Sequence, residues 1–178
     1  MDGVVVRPAT VDEAPAIARI HWDSWVATYT GVFPQQAFDE FGLDRRERLW
    51  AQEAARSADA TQRRQVLAAL HGARMLGFAS VGPYRVQSFD EPACAEDGEL
   101  YALYLDPSVQ RRGIGRLLWA AAAQHLRTMG FAALRLWVIA GNPAEAFYRA
   151  MGAQPAGSST FVSHGVSLRE DCYRAALG

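Results

Sequence analysis

Apolar residues recur along this chain at two spacings. "VVVRP", from Val4 to Pro8, is β-branched and stopped by proline, which predicts a first strand. Thr10 and Glu13 then form a T-x-x-E helix start. Ile17, Ile20, His21, Ser24, Trp25 and Thr28 follow at helical spacing, with Trp22, Val26 and Tyr29 on a neighbouring stripe. Gly31 and Pro34 close this segment. Asp44 and Glu47 repeat the start signal ahead of "RRERLWAQEAARS", a predicted helix with Leu49 on its apolar side.

"RQVLAAL" and "RMLGFASVG" flank "HGA" and predict an antiparallel hairpin. The segment from Pro83 to Gly98 reads as a loop, and "ELYALYL", from Glu99 to Leu105, as a β-prone run. A helix follows with Ile114, Leu117, Leu118, Ala121, Ala122, Leu126 and Met129 on one face. "FAALRLWVI" is the next strand and "NPAEAFYRAMG" a short helix closed by glycine. Two final strands surround Gly165. The order is β, two helices, three strands, then α, β, α and two strands. It predicts an α/β (α+β) domain spanning residues 1–178, with one mixed central sheet of about six to seven strands and helices on both faces. The stretch from Glu99 to Ile139 predicts a parallel crossover.

Composition narrows the function classes. The 178 residues carry a formal net charge of -1, with 50% hydrophobic and 21% charged residues. That balance lacks the basic field of nucleic-acid binders. The two cysteines, Cys94 and Cys172, have no metal-ligand spacing, and the four histidines are scattered, so neither a disulfide framework nor a metal is expected. No apolar run reaches 18 residues and no signal-peptide pattern opens the chain, so the expectation is a cytoplasmic protein with no membrane contact.

The chemistry concentrates in "QRRGIGR", residues 110–116, between a strand and a helix. A helix's first turn has backbone N–H groups without internal partners, and its dipole adds positive charge. Glycines let an anion approach the backbone, and arginines add donors, so the segment suits a pyrophosphate. Glycines in such a turn also occur for the turn alone. Leu118 stands where a dinucleotide fingerprint needs a small residue, and no GK[ST] is present, which excludes a P-loop.

The Q-x-x-G-x-G loop, combined with Asn142, Phe147, Tyr148 and Gly152 in the N-x-x-A-x-x-x-Y segment, resembles the GNAT superfamily of acetyl-CoA-dependent N-acetyltransferases. The resemblance implies a GNAT fold and acetyl-CoA as cofactor. It implies that Leu103, Tyr104 and Leu105 lie along the pantetheine arm, with the Leu105 N–H polarising the thioester carbonyl. Gln110, Arg111, Arg112, Gly113, Ile114, Gly115 and Arg116 would hold the pyrophosphate, and Asn142 the cofactor arm. Tyr148 would protonate the leaving thiolate, and Glu99 would serve as base, with Asp97 as a substitute. Each of these has a structural alternative: Asn142 as a helix cap, Tyr148 as a core aromatic, Glu99 as a surface carboxylate. No nucleophile is patterned beside a histidine, which favours direct attack by a bound amine over an acyl-enzyme.

For the acceptor, Trp22, Trp25 and Tyr29 are candidate pocket residues, and the acidic stretch containing Asp90, Glu91, Glu96, Asp97 and Glu99 can attract a cation. A small-molecule amine is the expected acceptor, ahead of a protein N-terminus or lysine. Dimers are common in the family, so a homodimer is admissible. The rival functions are a non-catalytic acyl-CoA sensor on the same fold and a protein binding another phosphate ligand.

Overall fold

A computed structural model of the protein describes residues 3–85 and 95–178. Its frame is one seven-stranded sheet: β1 (Val4–Pro8), β2 (Gln65–His71), β3 (Arg74–Pro83), β4 (Asp97–Leu105), β5 (Ala133–Ile139), β6 (Gln154–Ser163) and β7 (Val166–Ala176), in the order β1-β2-β3-β4-β5-β7-β6. Only β4 and β5 pair in parallel. The central runs of β2 and β3 are apolar almost throughout and buried on both faces, as a covered sheet requires. β6, at an edge, is polar and mostly exposed.

Helices α1 (Ala14–Tyr29) and α3 (Leu43–Ser57) cover one face. There Ile17, Ala18, Ile20 and Trp50 pack on Val66, Phe78 and Ala102. Helix α4 (Ile114–Thr128) and the short α5 (Ala144–Ala150) cover the other, where Leu118, Ala122 and Leu126 meet Val81, Leu134 and Leu136. At the start of α1 the Glu13 carboxylate accepts the Thr10 N–H at 2.9 Å, as the start signal implied.

Five expectations change. The Asp44/Glu47 start signal is not the cap of α3: that helix is capped at Gly42 and begins at Leu43. A six-residue helix, α2 (Gln35–Glu40), precedes it and buries Ala37 and Phe38 against Trp25. The buried stripe of α3 is Arg46, Trp50 and Ala54, while Leu49 is 44% exposed. Likewise Leu117 of α4 faces outward. β4 begins at Asp97, two residues earlier than expected. Cys94, Asp90, Glu91 and most of the expected loop lie outside the described residues. No helix among the described residues is long and apolar enough to cross a membrane.

Candidate functional site

β4 and β5 are neighbours only at their starts, where Asp97, Gly98 and Glu99 pair with Ala133, Leu134 and Arg135. Beyond this the strands part. Leu103, Tyr104 and Leu105 pair with Ala79, Phe78 and Gly77 of β3 and have no strand partner among the described residues on their other side. The Asp106 N–H donates to the Leu76 carbonyl on the β3 side at 2.9 Å. Successive residues of a strand aim their backbone groups at opposite edges, so the Leu105 and Leu103 N–H groups point into the opening.

The loop at the start of α4 supplies a second set of donors. Gln110 is extended, Arg111 is left-handed at φ 62°, and Gly113 caps the helix at φ 83°, where a side chain would be strained. Ile114 is buried and anchors the first turn, leaving the Gly113, Ile114 and Gly115 N–H groups without bonds among the described residues. A Cβ at Gly115 would meet Phe147 at 3.4 Å and Leu105 at 3.7 Å, ordinary contacts that the fold itself tolerates. Arg111, Arg112 and Arg116 are exposed and form no ion pair among the described residues. The geometry is that of an anion cradle.

Three phenols gather beside β4. The Tyr29 hydroxyl accepts from Asn142 Nδ2 at 3.0 Å, and Asn142 Oδ1 accepts the Ala144 N–H at 2.9 Å. Asn142 therefore caps α5 and ties it to α1. Tyr148 is buried with its ring 5.4 Å from Phe147 and 6.0 Å from Trp119, and its hydroxyl makes no hydrogen bond among the described residues. Burial, then the neighbouring Tyr29, pushes the Tyr148 phenol above its ordinary range. Tyr104 is raised likewise, by burial and then by Tyr29 and Tyr148.

The carboxylates lie apart from this group. Strand alternation placed Glu99 on one face with Tyr101, Leu103 and Leu105. The pairing skips a residue instead: Ser80 faces Ala102 while Val81 faces Leu100, so Tyr101 is a bulge. Leu100, Leu103 and Leu105 consequently pack on the α4 side. Glu99, 2% exposed, meets Arg85, which donates from its backbone N–H (2.9 Å) and Nε (3.3 Å) to Oε2 and from Nη2 (2.6 Å) to Oε1. Both of its oxygens are thus engaged by Arg85. Asp97 receives Arg135 at 2.6 Å and Arg174 at 2.9 and 3.0 Å. Burial alone would raise its carboxyl, but the hydrogen bonds and charges of the two arginines outweigh that and hold it low.

Between α1, α3 and β6 lies a cavity of about 440 Å³, walled by Trp25, Phe33, Phe41 and Phe161 with His21 and Arg46 at its inner side. The His21 ring lies 4.5 Å from the Tyr104 ring, so the cavity adjoins β4. Of the expected pocket residues, Trp25 lines this cavity, Trp22 stacks behind it at 6.4 Å, and Tyr29 belongs to the phenol group.

Arg46 was missed by sequence reasoning. The available signal was its place four and eight residues before Trp50 and Ala54, on a stripe that is otherwise apolar. Among the described residues no cluster of His, Cys, Asp and Glu can hold a metal.

Comparison with known proteins agrees with this architecture. The family model described as acetyltransferase (GNAT) family matches residues 15–153. An uncharacterized N-acetyltransferase, YuaI, of Bacillus subtilis (strain 168) is 33% identical over 94% of this chain and 90% of its own length. The PaiA N-acetyltransferase of Thermoplasma acidophilum, solved in complex with coenzyme A, superposes with a TM-score of 0.71 at 18% identity, covering 94% of this chain and 97% of that one. YncA of Salmonella typhimurium, solved with its cofactor acetyl-CoA, gives 0.72 at 20% identity, covering 99% and 95%. On the strength of the family match and the full-length relative, this chain belongs to the GNAT acetyltransferase family.

Proposed function

We propose that the protein transfers an acetyl group from acetyl-CoA to the primary amine of a small molecule, the amine attacking directly while both substrates are bound. The observation that carries this reading is the β4 edge at Leu103–Leu105, which among the described residues has a strand partner on one side only and leads into the α4 cradle. Acetyl-CoA supplies a thioester, an amide-bearing arm and a pyrophosphate. The residues present fit each part: strand N–H groups for the arm, and the Gln110–Arg116 loop with its exposed arginines for the pyrophosphate.

Within that reading, the Leu105 N–H stabilises negative charge developing on the carbonyl oxygen. Tyr148 holds a proton for the departing sulfur. Its raised phenol stays protonated through the neutral range, and the proton it gives to the departing sulfur is replaced by the one the attacking amine sheds as the amide forms. Asn142 fixes α5, and with it Tyr148, relative to α1. The volume of about 440 Å³ and the aromatic walls of the cavity beside Tyr104 support a small acceptor.

Calorimetric titration with acetyl-CoA, with ATP as control, tests the cofactor assignment. Saturable binding of acetyl-CoA and none of ATP is expected. No heat with acetyl-CoA, and no thermal shift at about 100 times the working dissociation constant where about 2.7 kcal/mol of stabilisation is due, overturns it. Tyr148→Phe then tests the proton donor. The hydroxyl makes no hydrogen bond among the described residues, so folding and acetyl-CoA affinity persist while kcat falls by about 10²-fold or more. Unchanged turnover removes Tyr148 from the reaction.

A further inference from the structure

Arg46 is 5% exposed, yet no carboxylate among the described residues lies within ion-pair distance of it. Its guanidinium stacks over Trp25 at 4.8 Å and Trp22 at 5.6 Å. Among the described residues its side chain makes one hydrogen bond, from Nη1 to His21 Nε2 at 2.7 Å. Nε is buried without a partner, and Nη2 has none among the described residues. That one hydrogen bond is itself contested. Trp50 Nε1 donates to His21 Nδ1 at 3.0 Å, and a neutral imidazole has one acceptor nitrogen for the two donors. A buried charge left this poorly satisfied is costly, and proteins that keep one commonly do so for a ligand.

The charge belongs to the cavity, because Arg46 lines it. Among the described residues no Asp or Glu lines the cavity, and at the rim Glu40 is engaged by Arg45 at 2.8 Å and His164 at 2.9 Å. A plain cationic amine or polyamine would meet the Arg46 charge with no free carboxylate among the described residues to offset it. A carboxylate suits Nη2, the guanidinium nitrogen that is neither sealed off, as Nε is, nor bonded to His21, as Nη1 is. The aromatic walls suit an apolar body, and the volume suits a small molecule. His21, between Arg46 and Tyr104, sets the orientation: an anion on Arg46 leaves the rest of the molecule directed at the β4 edge.

We infer that Arg46 is the anchor of an acceptor subsite, and that the acceptor carries a carboxylate and an apolar or aromatic body along with its amine, as an amino acid does. This rests on the acetyltransferase reading for the amine, but the anchor can be read without acetyl-CoA.

The first measurement is therefore a fluorescence titration of the full chain, through Trp25 and Trp22, with 3-phenylpropanoate and with 3-phenylpropan-1-ol. The acid is expected to bind about 10- to 100-fold more tightly than the alcohol, the scale of one charge-assisted hydrogen bond. Arg46→Met should erase that preference, weakening the acid by the same factor and leaving the alcohol within about threefold. Equal affinities in the unaltered protein, no saturable binding of either probe, or a preference that survives Arg46→Met each overturn the assignment. The wild-type comparison stands even where the variant fails to fold. With acetyl-CoA present, phenylalanine should outpace 2-phenylethylamine in CoA release. Probe binding without acetyl-CoA binding would retain the anchor and sink the acetyltransferase reading; the reverse pattern would sink only the anchor.

Discussion

His21 gives a sharp test of the electrostatics at the inner side of the cavity. Both of its ring nitrogens face obligate donors, Arg46 Nη1 and Trp50 Nε1. Protonating the ring would turn the remaining acceptor into a third donor and place a second positive charge beside the guanidinium. Burial is the larger cause and the Arg46 charge the second; together they lower His21 from an ordinary 6.5 to about 3. Between those values the unfolded chain binds more protons than the folded one, so stability rises with pH across the window and is lost as pH falls from about 6.5 toward about 3. At pH 5.0 the unfolded ring lies about one and a half units below its midpoint, and at 1.36 kcal/mol per unit the loss relative to pH 7.5 is about 2 kcal/mol.

Urea unfolding at pH 7.5 and pH 5.0 measures this. The reference is His21→Asn, which does not titrate and whose amide oxygen still accepts one donor. The pH-dependent loss should be larger in the unaltered protein by about 2 kcal/mol, or about 1 M in urea midpoint. His125, also lowered by burial, and the carboxylates act equally in both proteins and cancel. Parallel pH profiles for the two proteins, within about 0.3 kcal/mol, would refute the argument and show that the ring titrates as an exposed imidazole does.

Two further substitutions separate folding from ligand contact. Gly115→Ala meets only ordinary contacts and improves helix propensity, so the melting temperature should hold or rise. Acetyl-CoA affinity, read by calorimetry, should drop by about tenfold because the added methyl projects at the α4 cradle; undiminished affinity would mean that the glycine serves the turn alone. Glu99→Gln loosens the Arg85 ion pair and should cost stability by about 1–3 kcal/mol, read by urea unfolding, while lowering kcat by less than threefold. A large kcat loss together with a vanished acidic limb in the pH–rate profile would instead restore Glu99 as the base.

Much of the fold was legible because its signals are local. Seven strands, the β4–α4–β5 crossover and the glycine cradle follow from apolar spacing and turn residues. The side on which Glu99 lies was not legible. Alternation holds only while each residue faces one partner, and the bulge at Tyr101 exists because β3 contributes one residue where β4 contributes two. Arg46 was hidden for a related reason. A charged residue on a helix reads as solvated, and what buries this one are the aromatic rings of α1, distant in sequence. The α2 turn was lost because six residues between a proline and a glycine carry too little periodicity. Among the candidate site residues, Tyr148, Asn142 and the loop stand out in the sequence; the relation between Tyr29 and Asn142, 113 positions apart, is made by the fold.

The parting of β4 from β5 has an evolutionary consequence. At Leu103 and Leu105 the groups offered to the opening are peptide N–H groups, which every residue but proline possesses. Side chains there answer to the α4 interface and are free to exchange among apolar types as that interface drifts. The opening itself persists through such exchanges. On the acceptor subsite proposed above, specificity rests instead on Arg46 and the aromatic wall, where side-chain identity matters. The opening is thus a property of backbone shape that tolerates exchange of letters, whereas a single substitution in the cavity wall changes what the cavity can hold.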